Sequence, residues 1–204
     1  MSLKMPVILI DNGHGKNTPG KRSPDERLRE WSWTREIAAG IVAELQRRGH
    51  TSFLLTKEEE DVPLSTRAAN ANAYCRHYGT SNVLLISIHG NAAANGKWMN
   101  AQGWSAFTTK GVTESDELAL YLYKAAEKAF PGRKIRRYNG AKEPDWEENF
   151  TILFKSLCPT VLTENFFYDN QDDCRYMLSD EGKQAIIRCH VEGIEAYLEN
   201  GFNQ

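Results

Sequence analysis

VLLISIHGNAA, residues 83–93, is an apolar run that stops at a histidine followed by glycine and asparagine. A run this short, bounded by turn-forming residues, reads as a β-strand buried on both faces. Strands covered on both faces belong to largely parallel sheets flanked by helices. The chain on either side of this run carries the same pattern. Residues 6–11 (PVILID), 50–56 (HTSFLLT), 104–109 (WSAFTT) and 160–164 (TVLTE) predict further strands, with short ones at 135–138 and 150–154.

Amphipathic helices are predicted at residues 34–48, 64–78, 114–130 and 181–198. In the first, Ile37, Ile41, Val42 and Leu45 share a face and Gly49 takes the C′ position. In the second, Ala68, Ala69, Ala71 and Ala73 let the helix lie close to a sheet. Leu118, Leu122, Ala125 and Ala129 line the third; Ile186, Ile187, Ile194 and Leu198 line the last. This alternation predicts a single α/β domain of three layers, a mostly parallel or mixed twisted sheet with helices on both faces. A chain of 204 residues suffices for one such domain, not two, so residues 1–204 are taken as one unit. Residues 1–5 (MSLKM) read as a leader or a disordered start.

Composition narrows the function. The chain is 41% hydrophobic and 25% charged with a formal charge of −2, so no broad basic field favours nucleic acid as a partner. The basic cluster at 133–137 (RKIRR) reads as a solvated loop or edge strand. No stretch approaches the roughly 20 apolar residues of a membrane span. The N-terminus lacks a secretory pattern, and an exported protein with its signal removed fits equally well. Cys75, Cys158, Cys174 and Cys189 are widely spaced and form no CxxC pair, so they read as buried, reduced thiols. No pattern specifies an oligomeric state.

Three chemistry-bearing residues stand at strand ends. His14 follows the first strand in LIDNGHGKNTPG, His89 ends ISIH, and Glu164 ends TVLTE. In open parallel sheets, ligands bind beyond the carboxyl ends of the strands, so these residues are expected to converge. Two histidines and a carboxylate form a ligand set for catalytic zinc that leaves one position open. A further carboxylate can serve as general base. The segment SPDERLREWSWTREIA (23–38) offers Asp25, Glu26, Glu30 and Glu36 as the third ligand. His50, His77 and His190 lie in settings that read as structural or solvated, and Ser65 and Ser87 read as structural. Trp98 and Trp146 fall in polar segments, where they could stack on sugar or peptide or be partly buried.

An ordered set of motifs then carries a resemblance: IDNGHG, REWSWTREIA, LSTRAANAN, ISIHGNA and CPTVLTENFFYDN, spanning essentially the whole chain. The chain resembles the zinc-dependent N-acetylmuramoyl-L-alanine amidases of the amidase-3 type. The resemblance implies Zn2+ held by His14, Glu30 and His89, with Glu164 as catalytic glutamate. It implies peptidoglycan or a muramoyl peptide as substrate, and hydrolysis of the amide between the lactyl group of N-acetylmuramic acid and L-alanine. The sequence departs from the family at Asn12, in the segment after His14 and in ENFF, without removing a ligand. A zinc peptidase acting on cell-wall peptides and a catalytically silent wall-binding module are the alternative readings.

Overall fold

Residues 6–138 and 143–201 are described by the computed structural model, so the leader assigned to residues 1–5 lies outside the described residues. In chain order the elements are β1 (Val7–Asn12), α1 (Glu30–Arg47), β2 (Ser52–Leu54), α2 (Leu64–Tyr78), β3 (Val83–Asn91), β4 (Trp104–Thr108) and α3 (Glu114–Ala129). They continue as β5 (Trp146–Glu147), α4 (Thr151–Lys155), β6 (Thr160–Phe167), α5 (Gln171–Leu178) and α6 (Asp180–Asn200). The strands form one six-stranded sheet in the order β2-β1-β3-β6-β4-β5. β1 pairs in parallel with β2 and β3, and β3 with β6, whereas β4 runs antiparallel to β6. The sheet is therefore mixed, as expected, with its parallel part at the centre.

Side-chain alternation divides the central strands between two cores. Ile8, Ile10, Leu84, Ile86, Ile88 and Val161 face a layer that includes Ile37 and Ile41 of α1, Leu118 and Leu122 of α3, and Ile186 and Ile194 of α6. Val7, Leu9, Val83, Leu85 and Leu162 face the other way, onto Ala68, Ala71 and Cys75 of α2 and Ile152 and Leu153 of α4. The run at 83–88 is apolar on both faces, save for the buried Ser87, because both faces of β3 are covered. All four cysteines are free and buried, so the reduced-thiol reading holds.

Several boundaries differ from the sequence-based expectations. α1 begins at Glu30 rather than at Thr34, so Glu30 opens the helix instead of preceding it. The first turn is held by a long-range contact, Trp33 Nε1 donating to the Met177 carbonyl at 2.8 Å. Residues 150–154, expected as a strand, belong largely to α4, whose single turn is too short to show a helical period. Of the strand expected at 135–138 there remains a bridge between Ile135 and Trp104. α5 was not anticipated; its eight residues start where the Asn170 side chain accepts from the Asp172 and Asp173 N–H groups.

The 133–137 cluster is also not simply solvated. The Arg133 guanidinium lies 3.4 Å from the Tyr176 ring centroid, and Arg136 sits 4.9 Å from that of Phe167. Arg137 pairs with Glu127. The aromatic partners come from distant segments, which is why local composition hid the arrangement.

Candidate metal and catalytic site

β1 and β3 run side by side with Asn12 opposite Ile88, so the residues following β1 emerge beside the end of β3. The turn there has tight steric requirements. A Cβ on Gly13 would lie 2.4 Å from the His89 ring, so only glycine lets the two segments approach this closely. His14 itself has φ +61°, an unusual conformation for a residue with a side chain. Its carbonyl accepts from two guanidinium groups, Arg35 Nη1 at 3.0 Å and Arg67 Nη2 at 3.2 Å.

Arg67 is itself buried. It donates to Asp11 Oδ1 at 2.7 Å and to the carbonyls of Asn12 and Val62. The Asp11 carboxylate also accepts from Thr56 and Ser87 hydroxyls at 3.1 and 2.7 Å. The loop that carries His14 is thus fastened to β1, β3 and α2 by a buried, fully engaged ion pair.

Glu30 reaches this point from the first turn of α1. One of its oxygens, Oε1, lies 3.5 Å from His14 Nε2 and 3.3 Å from His89 Nδ1, and accepts from the Gly90 N–H at 3.0 Å. The other, Oε2, is buried without a partner. The histidine rings stand at 90° with centroids 5.0 Å apart. One ligand atom from each of His14, Glu30 and His89 falls within 4.8 Å of the others, a grouping able to hold a metal ion.

Electrostatics prepares His14 and Glu30 for that role, while His89 must give up a proton when a cation binds. Burial lowers the His14 pKa to about 4, keeping the ring neutral with a free lone pair at pH 7. Burial also works against charge on Glu30 and His89, yet their mutual attraction prevails and holds Glu30 below, and His89 above, the ordinary value. The rival carboxylates are engaged elsewhere. Asp25 binds Ser23 and Arg27, Glu26 pairs with Arg22 and Arg29, and Glu36 pairs with Lys183.

Glu164 is the register partner of His89 on the neighbouring strand, and of Ser105 on the other side. Burial pushes its pKa up to about 7, and its Oε2 has no partner. The remaining histidines do not join the site. His50 meets Glu195 at 3.0 Å, the His77 ring packs edge-on against Tyr78, and His190 is buried beneath β6. Trp98 packs against the larger core, and Trp146 lies against Phe107 and Tyr138.

Sequence reasoning missed the supporting side chains. Arg67 lay inside the quoted motif LSTRAANAN and Asp11 inside IDNGHG, but neither spacing showed that they pair. Asn165 was equally silent. Its Nδ2 donates to the His89 carbonyl at 3.0 Å, and its Oδ1 accepts from Trp104 Nε1 at 2.9 Å.

The family model for N-acetylmuramoyl-L-alanine amidases of the amidase-3 type matches residues 8–196. The chain belongs to this family. This amidase-family chain is 24% identical to the endolysin of Bacillus phage SPP1, over 94% of its own length and 66% of the endolysin's. It is 25% identical to the sporulation-specific N-acetylmuramoyl-L-alanine amidase of Bacillus subtilis (strain 168), over 94% of its length and 68% of the relative's. The chain thus spans 66% and 68% of these two curated relatives, about two thirds of each. The crystal structure of N-acetylmuramoyl-L-alanine amidase from Clostridium difficile 630 shares the fold. It has a TM-score of 0.79 at 23% identity, covering 97% of this chain and 99% of that one.

Proposed function

We propose that this domain hydrolyses the amide joining the lactyl group of N-acetylmuramic acid to L-alanine in peptidoglycan, with Zn2+ held by His14, Glu30 and His89. The observation that carries the reading is the convergence of two imidazoles and a buried carboxylate with an orphaned oxygen, next to a second, half-buried carboxylate that also has a buried oxygen without a partner. Neutral His14, imidazole His89 and anionic Glu30 form a nitrogen–nitrogen–oxygen set suited to catalytic zinc. The family membership and the two amidase relatives supply the scissile bond.

When bound, zinc supplies Lewis acidity that polarises the lactyl carbonyl and makes an attacking water more acidic. The chain's own residues do the rest. Glu164 accepts the proton of the attacking water at a carboxylate oxygen and returns it to the departing alanine nitrogen as the C–N bond breaks. The raised pKa of Glu164 suits both steps, since a carboxyl titrating near neutrality takes and gives a proton readily. Gly90 N–H and the Arg35 and Arg67 guanidinium groups hold Glu30 and His14 in place throughout.

Digestion of a muramoyl pentapeptide, followed by mass spectrometry, tests the reading. The expected products are an intact pentapeptide with a new L-alanine amino terminus and a free lactyl carboxylate on the sugar. Shorter peptides with the muramoyl–alanine bond intact would assign the protein to the peptidases. No turnover by the zinc-loaded protein would assign it to wall-binding modules.

A further inference from the structure

Carboxylates with a buried, unpartnered oxygen occur at the site above, in Glu30 and Glu164, and singly at Asp169. Among the described residues the same signature occurs as a pair in one other place, Asp116 and Asp145. They line a cavity of about 440 Å³ between the first turn of α3, the end of β4 and β5. Asp116 is 7% exposed and Asp145 4%, and each has one oxygen, Oδ1, buried without a partner. Their other oxygens are fixed: Asp116 Oδ2 accepts from the Thr113 N–H and Asp145 Oδ2 from the Thr108 hydroxyl, each at 2.6 Å. Glu143, Glu147 and Glu148 also line the cavity, against one lining cation, Lys110.

Neither aspartate has an ion-pair partner among the described residues. Burial raises both pKa values, and the neighbouring carboxylates raise them further. Two desolvated carboxylates in contact with one cavity are costly unless a cation or a proton compensates them. The place is distinct from the catalytic site. β4 is antiparallel to β6 with Ser105 opposite Glu164, so Thr108 lies three residues further along, roughly 10 Å away.

We infer that Asp116 and Asp145 supply the side-chain ligands of a binding site for a hard divalent cation of the calcium class, with Glu147 at the rim adding negative charge rather than a direct ligand. All-oxygen ligands select such ions over zinc, and calcium completes its shell with water and carbonyl oxygens. The ion would tie the short strand β5 to β4 and to the start of α3. Its effect is therefore on stability, independent of the proposed hydrolysis.

Trp146 lines the same cavity and can sensitise Tb3+, which provides the probe. With the zinc site loaded, Tb3+ should show tryptophan-sensitised emission that Ca2+ displaces. Trp146→Phe should lose that emission while still binding calcium. Calcium at a hundredfold above its Kd should raise Tm by roughly 5–10 °C. Asp116→Asn and Asp145→Asn should abolish the shift while leaving zinc content unchanged. Should either fail to fold, Glu147→Gln, at the exposed rim, should weaken calcium binding measurably in a folded protein. Absence of both calcium-displaceable emission and a calcium-dependent Tm in the wild type would overturn the site. The aspartates would then be compensated by protons or water alone.

Discussion

His89 and Glu164 occupy paired positions on adjacent parallel strands, one beside Glu30 and His14, the other with a buried carboxylate oxygen that has no partner. Neighbouring strands lie about 4.8 Å apart, so the sheet itself sets the spacing between the metal-binding grouping and the second carboxylate. Small changes in loop structure leave that spacing intact. The two roles should therefore separate cleanly under mutation.

Zinc content reads the first role. His14→Ala and His89→Ala should each lose most bound zinc by elemental analysis, and Glu30→Ala should do the same. Glu26→Ala should keep full metal, because Glu26 spends its charge on Arg22 and Arg29. Normal zinc in both histidine variants would remove the site.

The second role is tested by Glu164→Gln, which is nearly isosteric. It should fold and retain zinc while losing about 10²- to 10⁴-fold in kcat, the usual contribution of general acid–base catalysis. Loss of zinc together with activity would instead place Glu164 among the ligands.

Arg67 should matter for stability although it lies outside the reacting groups. Arg67→Met would strand the Asp11 carboxylate in the core and remove one of two donors to the His14 carbonyl. Breaking a buried pair from one side costs about 3–5 kcal/mol, a fall in Tm of roughly 10 °C. Combining it with Asp11→Asn should cost less than the two single changes added together, since they share one interaction. Calorimetry of the three variants measures this.

His190 should make the fold acid-sensitive. Its Nδ1 faces the Ile186 carbonyl at 2.8 Å and must donate, so Nε2 accepts from the Thr163 hydroxyl at 2.9 Å. Burial lowers its pKa from 6.5 to about 4. A lowered histidine pKa means the unfolded chain binds the proton first. The contribution is complete above pH 6.5 and is lost as pH falls toward 4, a total of about 3 kcal/mol. Denaturant titrations across this window should show the loss in the wild type and a flatter profile in a folded His190→Gln variant. Equal slopes would contradict it.

Strand and helix positions near the centre of the chain were legible because both cores impose a local pattern. The run at 83–88 is apolar except at Ser87, whose hydroxyl is taken up by Asp11, since α1 and α6 lie over one face and α2 over the other. α2 was bounded correctly at Leu64–Tyr78 because its small residues and flanking Pro63 and Gly79 are local signals. His14, His89 and Glu164 could be picked out because each follows an apolar run, and strand ends are where such sheets bind ligands.

Other features depend on partners far away in sequence, where composition is silent. Read from the residues alone, the third member of the grouping stayed open among four acidic residues in one segment, and it was the family resemblance that singled out Glu30. The docking of α1, with Trp33 on Met177, supplies the physical reason: it turns Glu30 inward and leaves Glu26 and Glu36 to surface cations. The same holds for Arg67 with Asp11, for the arginines resting on rings of β6 and α5, and for the paired Asp116 and Asp145. Periodicity reports which face of an element is buried; which charges meet there is decided when the elements pack.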